Sequence, residues 1–69
     1  MRPHASAIRF RREALKMSLA TLSARTGINK SHLSRMERGQ AGLGDTNIRR
    51  VAEALGVNPA DITHHEEMT

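Results

Sequence analysis

A short connection between two helical segments is the feature that most limits how this chain can fold. Ser18 can cap a helix over 19–26, Gly27 can supply the positive φ that ends it, and Asn29 can cap a further helix over 30–38. Ile28, between them, is a lone apolar residue that can plug the turn. Two short helices joined by about three residues that include glycine are the sequence form of a helix-turn-helix motif.

Helical periodicity also continues on both sides of this motif. Ile8, Arg12 and Leu15 share one face of a first helix that we expect to end near Lys16. Asp45 can cap a fourth helix. Its apolar positions follow helical spacing at Ile48, Val51, Ala52 and Leu55.

A short fifth helix is predicted near the end of the chain, because Asn58-Pro59 places a capping residue before a proline and Ile62 follows. No segment shows the alternation that is typical of a strand. The sequence therefore predicts an all-α, compact five-helix fold. Its parts are a flexible N-terminal arm over 1–6, one domain over 7–63 and a loose tail over 64–69.

The predicted third helix has one face that is polar throughout and holds Lys30, Ser31, Ser34, Arg35 and Arg38. Leu33 and Met36 occupy the opposite face. Lysine and arginine can donate to guanine O6 and N7 in the major groove, and serine can donate or accept. This pattern favours DNA binding, with Lys30 and Arg35 reading bases and Ser31 assisting; an ordinary basic surface helix is the alternative.

The charge is distributed unevenly along the chain. Residues 1–50 hold all 11 lysines and arginines and three acids, whereas residues 51–69 hold four acids and neither lysine nor arginine. Such a basic region is typical of a protein that binds a polyanion, most simply nucleic acid. An anionic lipid surface and a merely solvated basic surface remain open on charge alone.

Two opposite charges fall on inward-facing positions of different helices. Arg12 lies between Ile8 and Leu15 on the apolar face of the first helix, and Glu37 lies beside Leu33 and Met36 on the third. A buried charge without a partner is too costly to keep. We therefore predict a bidentate salt bridge between Arg12 and Glu37.

Length and composition argue against an enzyme or a metalloprotein. The chain has 69 residues and no cysteine, so it can form neither a large substrate cleft nor a thiolate metal site. The run His64-His65-Glu66-Glu67 has no histidine pair at helical spacing, so we assign no metal ligand. We expect a cytoplasmic protein with no catalytic residues, no cofactor, no small-molecule ligand and no membrane partner.

The combination of these motifs resembles the lambda-repressor-like regulators of the Cro and C1 type, the Xre family. The resemblance covers about residues 8–62 and rests chiefly on two runs, residues 33–39 and residues 51–57, which read Leu-Ser-Arg-Met-Glu-Arg-Gly and Val-Ala-Glu-Ala-Leu-Gly-Val. It implies a compact five-helix fold that binds double-stranded DNA in a sequence-specific way. It also implies a transcriptional regulator, expected to form a homodimer, at least on DNA.

Site residues can be carried over position by position from this resemblance. The positions of Lys30, Ser31 and Arg35 correspond to residues that meet base edges. Contacts to phosphate are expected from Asn29, Arg38, Arg25 and the loop that begins at Gln40. One position departs from the family, which usually has glutamine where this chain has Leu19, so one phosphate contact is expected to be absent.

Three interpretations remain open at this level. The same fold can serve as a protein-interaction module, of the antitoxin or adaptor kind, that docks an acidic partner on its basic face. His32, on the flank of the third helix, can touch phosphate or lie in water, and Phe10 can cover a partner or stay exposed. Val57 and Ile62 are the residues expected at a dimer surface.

Overall fold

The computed structural model of this chain describes residues 2–64, which form four α-helices, one 3₁₀ helix and two very short strands. In chain order these are β1 (Arg2–Pro3), α1 (Ala5–Ala14), α2 (Leu19–Thr26), α3 (Lys30–Glu37), α4 (Asp45–Leu55), the 3₁₀ helix (Pro59–Ile62) and β2 (Thr63–His64). None of the helices in this part of the chain combines the length and the apolar character needed to span a membrane.

Local capping explains why α2 and α3 begin and end where the sequence predicts. The hydroxyl of Ser18 accepts from the Thr21 N–H at 3.0 Å, and the Asn29 carboxamide oxygen accepts from the Ser31 N–H at 2.8 Å. Gly27 ends α2 with a φ of 75°. That left-handed conformation is costly for a residue with a Cβ, so the glycine fixes the place of the turn.

The first helix is shorter than predicted. It ends at Ala14, and Lys16 adopts a φ of 55°, which turns the chain out of the helix. Leu15 is the C-cap residue of α1 and is 54% exposed, contrary to its predicted place on the apolar face. Met17 fills the buried position instead.

Two other helix ends also differ from the prediction. Gly44, not Asp45, occupies the N-cap of α4, and Asp45 is the first helical residue, where its negative charge suits the helix dipole. The predicted fifth helix is a single 3₁₀ turn, and the side chain of Asp61 accepts from the Asn58 N–H at 2.9 Å at its start. The turn stays short because the chain continues directly into the extended β2.

The two strands contradict the prediction that the chain has no strand, and regular structure already begins within the segment predicted as an arm, residues 1–6. Arg2 pairs with His64 and Pro3 with Thr63 in an antiparallel ladder, and Ala5 already lies in α1. We call this pairing the terminal clasp. The His4 N–H donates to the Ile62 carbonyl at 2.8 Å and closes it. Residues 65–69 of the predicted tail lie outside the described residues.

One apolar core lies between the helices. Its largest fully buried side chains are Ile8, Leu22, Leu33, Met36, Ile48, Val51 and Ile62. The 3₁₀ helix contributes Ile62 to this core and packs against α1 and α4. The expectation that Ile62 lies at a dimer surface is therefore wrong, because none of its surface remains exposed.

Candidate nucleic-acid interface

The turn between α2 and α3 is held by hydrogen bonds within the motif. The Thr26 hydroxyl donates to the Leu22 carbonyl at 2.8 Å and accepts from the Ile28 N–H at 3.2 Å, and the Ser23 hydroxyl donates to the Ile28 carbonyl. Ile28 is itself buried, as expected of a residue that plugs the turn. These bonds give α3 a fixed orientation relative to α2.

The inner face of α3 is tied to α1 by the predicted ion pair, which is present and bidentate. Arg12 Nε donates to Glu37 Oε2 at 2.7 Å and Nη2 donates to Oε1 at 2.8 Å. Arg12 Nη1 donates to the Met17 carbonyl at 2.8 Å, which also secures the connection between α1 and α2. The two side chains are 11% and 5% exposed.

The surroundings of Arg12 favour its charged form. The hydrogen bonds that Arg12 donates to Glu37 raise the pKa of the guanidinium, and the negative charge of the carboxylate raises it further, against the opposing effect of burial. Arg12 therefore stays positively charged within the fold. The pair acts as a structural link between α1 and the end of α3.

The opposite face of α3 borders a shallow depression on the surface. The depression is lined by Leu19 from the start of α2 and by five residues of α3 and its C-cap: Lys30, Ser31, Ser34, Arg35 and Arg38. We call these five residues the outer face of α3. No acidic residue of the described part of the chain lines this depression.

The predicted base-reading residues therefore lie together. Lys30, Ser31 and Arg35 are all exposed on this outer face. Arg38 lies beside them, and its Nε donates to the Ser34 carbonyl at 3.3 Å. Leu19, partly buried, packs against the core and adds an apolar wall to the depression.

The predicted phosphate-binding residues are more scattered. Asn29 uses its side-chain oxygen to cap α3, and its amide nitrogen remains a potential donor at the start of the outer face. Gln40 is exposed in the loop after α3 and lines a different depression together with Arg2 and His64. Arg25 lies apart from the outer face, in a depression between α2 and α4 with Arg50 and Glu53.

His32 has a partner that the sequence did not indicate. Its Nε2 lies 2.8 Å from the Gly42 carbonyl oxygen, in the loop between α3 and α4. Because a carbonyl can only accept, Nε2 donates in this contact. Nothing in the local sequence could have identified the bond, since it depends on the path that the loop takes back past α3.

Phe10 does not contribute to the core. Its side chain points outward from α1 and is 73% exposed. Within residues 2–64 Phe10 is therefore a surface residue. The residue lies on α1, whereas the outer face of α3 and its depression are formed by other elements.

Comparison with known proteins identifies the motif. Residues 8–62 match the family described as helix-turn-helix. A curated relative from Sinorhizobium fredii, described as an uncharacterized HTH-type transcriptional regulator y4dL, is 48% identical over 48 residues, a stretch that is 70% of this chain. The chain spans about a quarter of that relative, 24% of its length.

Two solved structures have closely similar folds. The restriction-modification controller protein C.AhdI from Aeromonas hydrophila matches with a TM-score of 0.81 and 31% identity, over 84% of this chain and 88% of that one. The P22 c2 repressor, solved in complex with a synthetic operator, matches with a TM-score of 0.78 and 27% identity, over 86% and 89% of the two chains. The resemblance to lambda-repressor-like regulators is thereby confirmed.

Proposed function

The chain belongs to the helix-turn-helix family, and we propose that it is a DNA-binding transcriptional regulator whose α3 enters the major groove. The observation that carries this proposal is the outer face of α3. This face is cationic and polar and faces away from the core, and no acidic residue in the described part of the chain lines its depression. A major-groove reader needs such a face, because base edges and phosphates present mostly acceptors.

Within this face, three side chains are suited to read bases. Arg35 and Lys30 can donate to the O6 and N7 atoms of guanine, and Ser31 can donate or accept at a neighbouring base. The buried contacts of Leu33 and Met36 fix α3 against the core, so these three side chains start from a rigid helix. Base reading from a rigid element loses less conformational entropy on binding.

Other residues are suited to bind phosphates. Arg38 and the amide nitrogen of Asn29 lie at the two ends of the outer face, and Gln40 extends the contact into the following loop. Arg25 lies in a separate depression, so we expect it to contribute less than Arg38. Contacts of this kind set the register of α3 on the duplex.

We further propose that the chain binds as a homodimer, in the cytoplasm, to an inverted repeat. One eight-residue helix reads too few base pairs for useful specificity. Two copies related by a two-fold axis would read half-sites about 34–36 Å apart. Of the two residues expected at a dimer surface, only the half-buried Val57 retains exposed surface for such a contact.

Selection from a randomised duplex pool, followed by sequencing, tests the proposed function. We expect a shared, guanine-containing inverted repeat, bound with an affinity that falls as salt concentration rises. The absence of any shared motif would contradict base reading. Binding to an acidic protein instead of DNA would then favour the protein-interaction module as the function of the same face.

A further inference from the structure

The bond between His32 and Gly42 joins α3 to a loop that has little structure of its own. Residues 39–44 contain three glycines, and Gly39 adopts a φ of 75°. Glycine-rich backbone is conformationally free unless other contacts restrict it. Backbone bonds to α3 hold the start of the loop, from the Gly39 N–H to the Met36 carbonyl at 3.0 Å and from the Gln40 N–H to the Arg35 carbonyl at 2.8 Å. Further along, Leu43 buries its side chain in the core and His32 Nε2 donates to the Gly42 carbonyl at 2.8 Å.

This bond fixes the direction of the next backbone N–H. The described chain has no cis peptide, so the Gly42–Leu43 peptide is planar and trans. In a trans peptide the C=O and the N–H point in opposite directions, so the Leu43 N–H points away from His32. Within residues 2–64 no backbone carbonyl accepts from this N–H.

We propose that His32 is a positioning residue that holds the Leu43 N–H as a donor to a DNA phosphate. This inference rests on the proposed function and deepens it. The loop follows directly on α3 and its C-cap Arg38, so DNA bound at the outer face would lie beside the loop. His32 itself touches no base in this arrangement; it acts through the peptide that it orients.

Two amide variants separate the role of the Nε2 donor from that of a polar side chain. In His32→Gln the amide nitrogen reaches about as far as imidazole Nε2, whereas in His32→Asn it reaches only as far as Nδ1. We expect the asparagine variant to bind the selected duplex about tenfold more weakly than wild type, because the hydrogen bond from the Leu43 N–H to the charged phosphate is lost. The glutamine variant should bind nearly as well as wild type.

Salt dependence distinguishes this effect from the loss of a cation. A backbone N–H carries no full charge, so His32→Asn should lower affinity at every salt concentration without changing the slope of log K against log salt. By contrast, Arg38→Ala should make that slope shallower by about 0.9, the value for one phosphate contact. An altered slope in His32→Asn would contradict the proposed role.

Replacing single phosphates by neutral methylphosphonates gives the most direct test. Wild type and His32→Gln should lose affinity when one particular phosphate is replaced, and His32→Asn should be insensitive at that phosphate while remaining sensitive at the others. If His32 had a purely structural role, the asparagine variant would not lose its sensitivity to any single phosphate. Circular dichroism establishes that each variant folds, and His32→Ala replaces the asparagine variant if that one does not.

The outcomes for the two proposals can be told apart. If wild type selects no DNA site, the proposed function fails, whatever His32 does. If wild type selects a site and His32→Asn binds it with wild-type affinity, the DNA-binding function stands and the role of His32 is overturned.

Discussion

The two faces of α3 use the same kinds of residue for opposite purposes. On the inner face the carboxylate of Glu37 is nearly buried, and both of its oxygens accept from Arg12. On the outer face Lys30 and Arg35 are exposed, and no acid of residues 2–64 lines their depression. Polar groups that face inward are thus satisfied within the fold, whereas those that face outward are available to a ligand.

This difference means that the two arginines should respond differently to substitution. Arg12 contributes to the free energy of unfolding, because its three hydrogen bonds join α1, α3 and the connection before α2. Arg35 should contribute to DNA binding and little to folding. Measurements of stability and of binding on the same variants therefore test whether the separation is real.

The largest effect is expected on the inner face, from Glu37→Ala. This change leaves the Arg12 guanidinium largely buried without its counter-charge, so the free energy of unfolding should fall by about 3 kcal/mol. Urea denaturation measures this change in the free energy of unfolding. The matched control is Glu53→Ala, which removes an exposed carboxylate from α4 and should cost no more than about 0.5 kcal/mol.

A double variant sharpens this prediction. Arg12→Met combined with Glu37→Leu removes both charges, so it should be more stable than Glu37→Ala alone. If Glu37→Ala unfolds at the same urea concentration as Glu53→Ala, the ion pair does not stabilise the fold.

On the outer face, Arg35→Ala should leave stability unchanged and reduce discrimination at one base pair of the site. A good bidentate contact to a base provides about 1–3 kcal/mol of discrimination. Competition binding with duplexes that differ at single positions measures this loss. Arg49→Ala removes the same charge from an exposed position on α4 and should keep the base preference intact.

The opposite result is equally informative. If Arg35→Ala and Arg49→Ala weaken binding to the same extent on every duplex, Arg35 acts only through its charge. The outer face would then bind DNA without reading bases.

Both faces of α3 could be predicted from the sequence, because each depends on local signals. The two caps and Gly27 act over a few residues, so the helix-turn-helix could be predicted from local signals. The pairing of Arg12 with Glu37 could be predicted because each charge interrupts an apolar face. Helical periodicity alone predicts that one outer face holds Lys30, Ser31 and Arg35.

Features that depend on distant backbone could not be predicted. The terminal clasp pairs two residues at each end of the described chain, too few for a strand pattern to appear. The bond from His32 to Gly42 depends on how a glycine-rich loop returns past α3. The place of Arg25 depends on which side of α2 packs against α4, and that is decided by the whole core.

A smaller effect is expected at the C-terminal end of the outer face, from Arg38→Ala. If Arg38 contacts phosphate, its loss should weaken binding to all duplexes alike and make the slope of log K against log salt shallower by about 0.9. The free energy of unfolding should change little, because the one hydrogen bond that its side chain makes within residues 2–64 is long, at 3.3 Å. A change in base preference would place Arg38 among the base-reading residues instead.

The smallest effect concerns the terminal clasp and depends on the protonation of His64. The rings of His4 and His64 stack with their centroids 4.3 Å apart, and His4 Nδ1 accepts from the Ala7 N–H. Desolvation lowers the pKa of His64, and the neighbouring His4 and Arg2 lower it further. The folded state therefore favours neutral His64, whose unfolded pKa is about 6.5.

The sign of the pH dependence follows from this shift. Above about pH 6.5 both folded and unfolded His64 are neutral, and the clasp contributes its full stability; as the pH falls below 6.5, the unfolded state takes up protons first and stability declines. The protection factor of the His4 N–H against hydrogen exchange should therefore fall between pH 7 and pH 5, because this N–H donates to the Ile62 carbonyl across the clasp. His64→Phe preserves a stacked ring that cannot titrate, so the protection factor in this variant should depend less on pH. An equal fall in both proteins would mean that a group other than His64 controls the clasp.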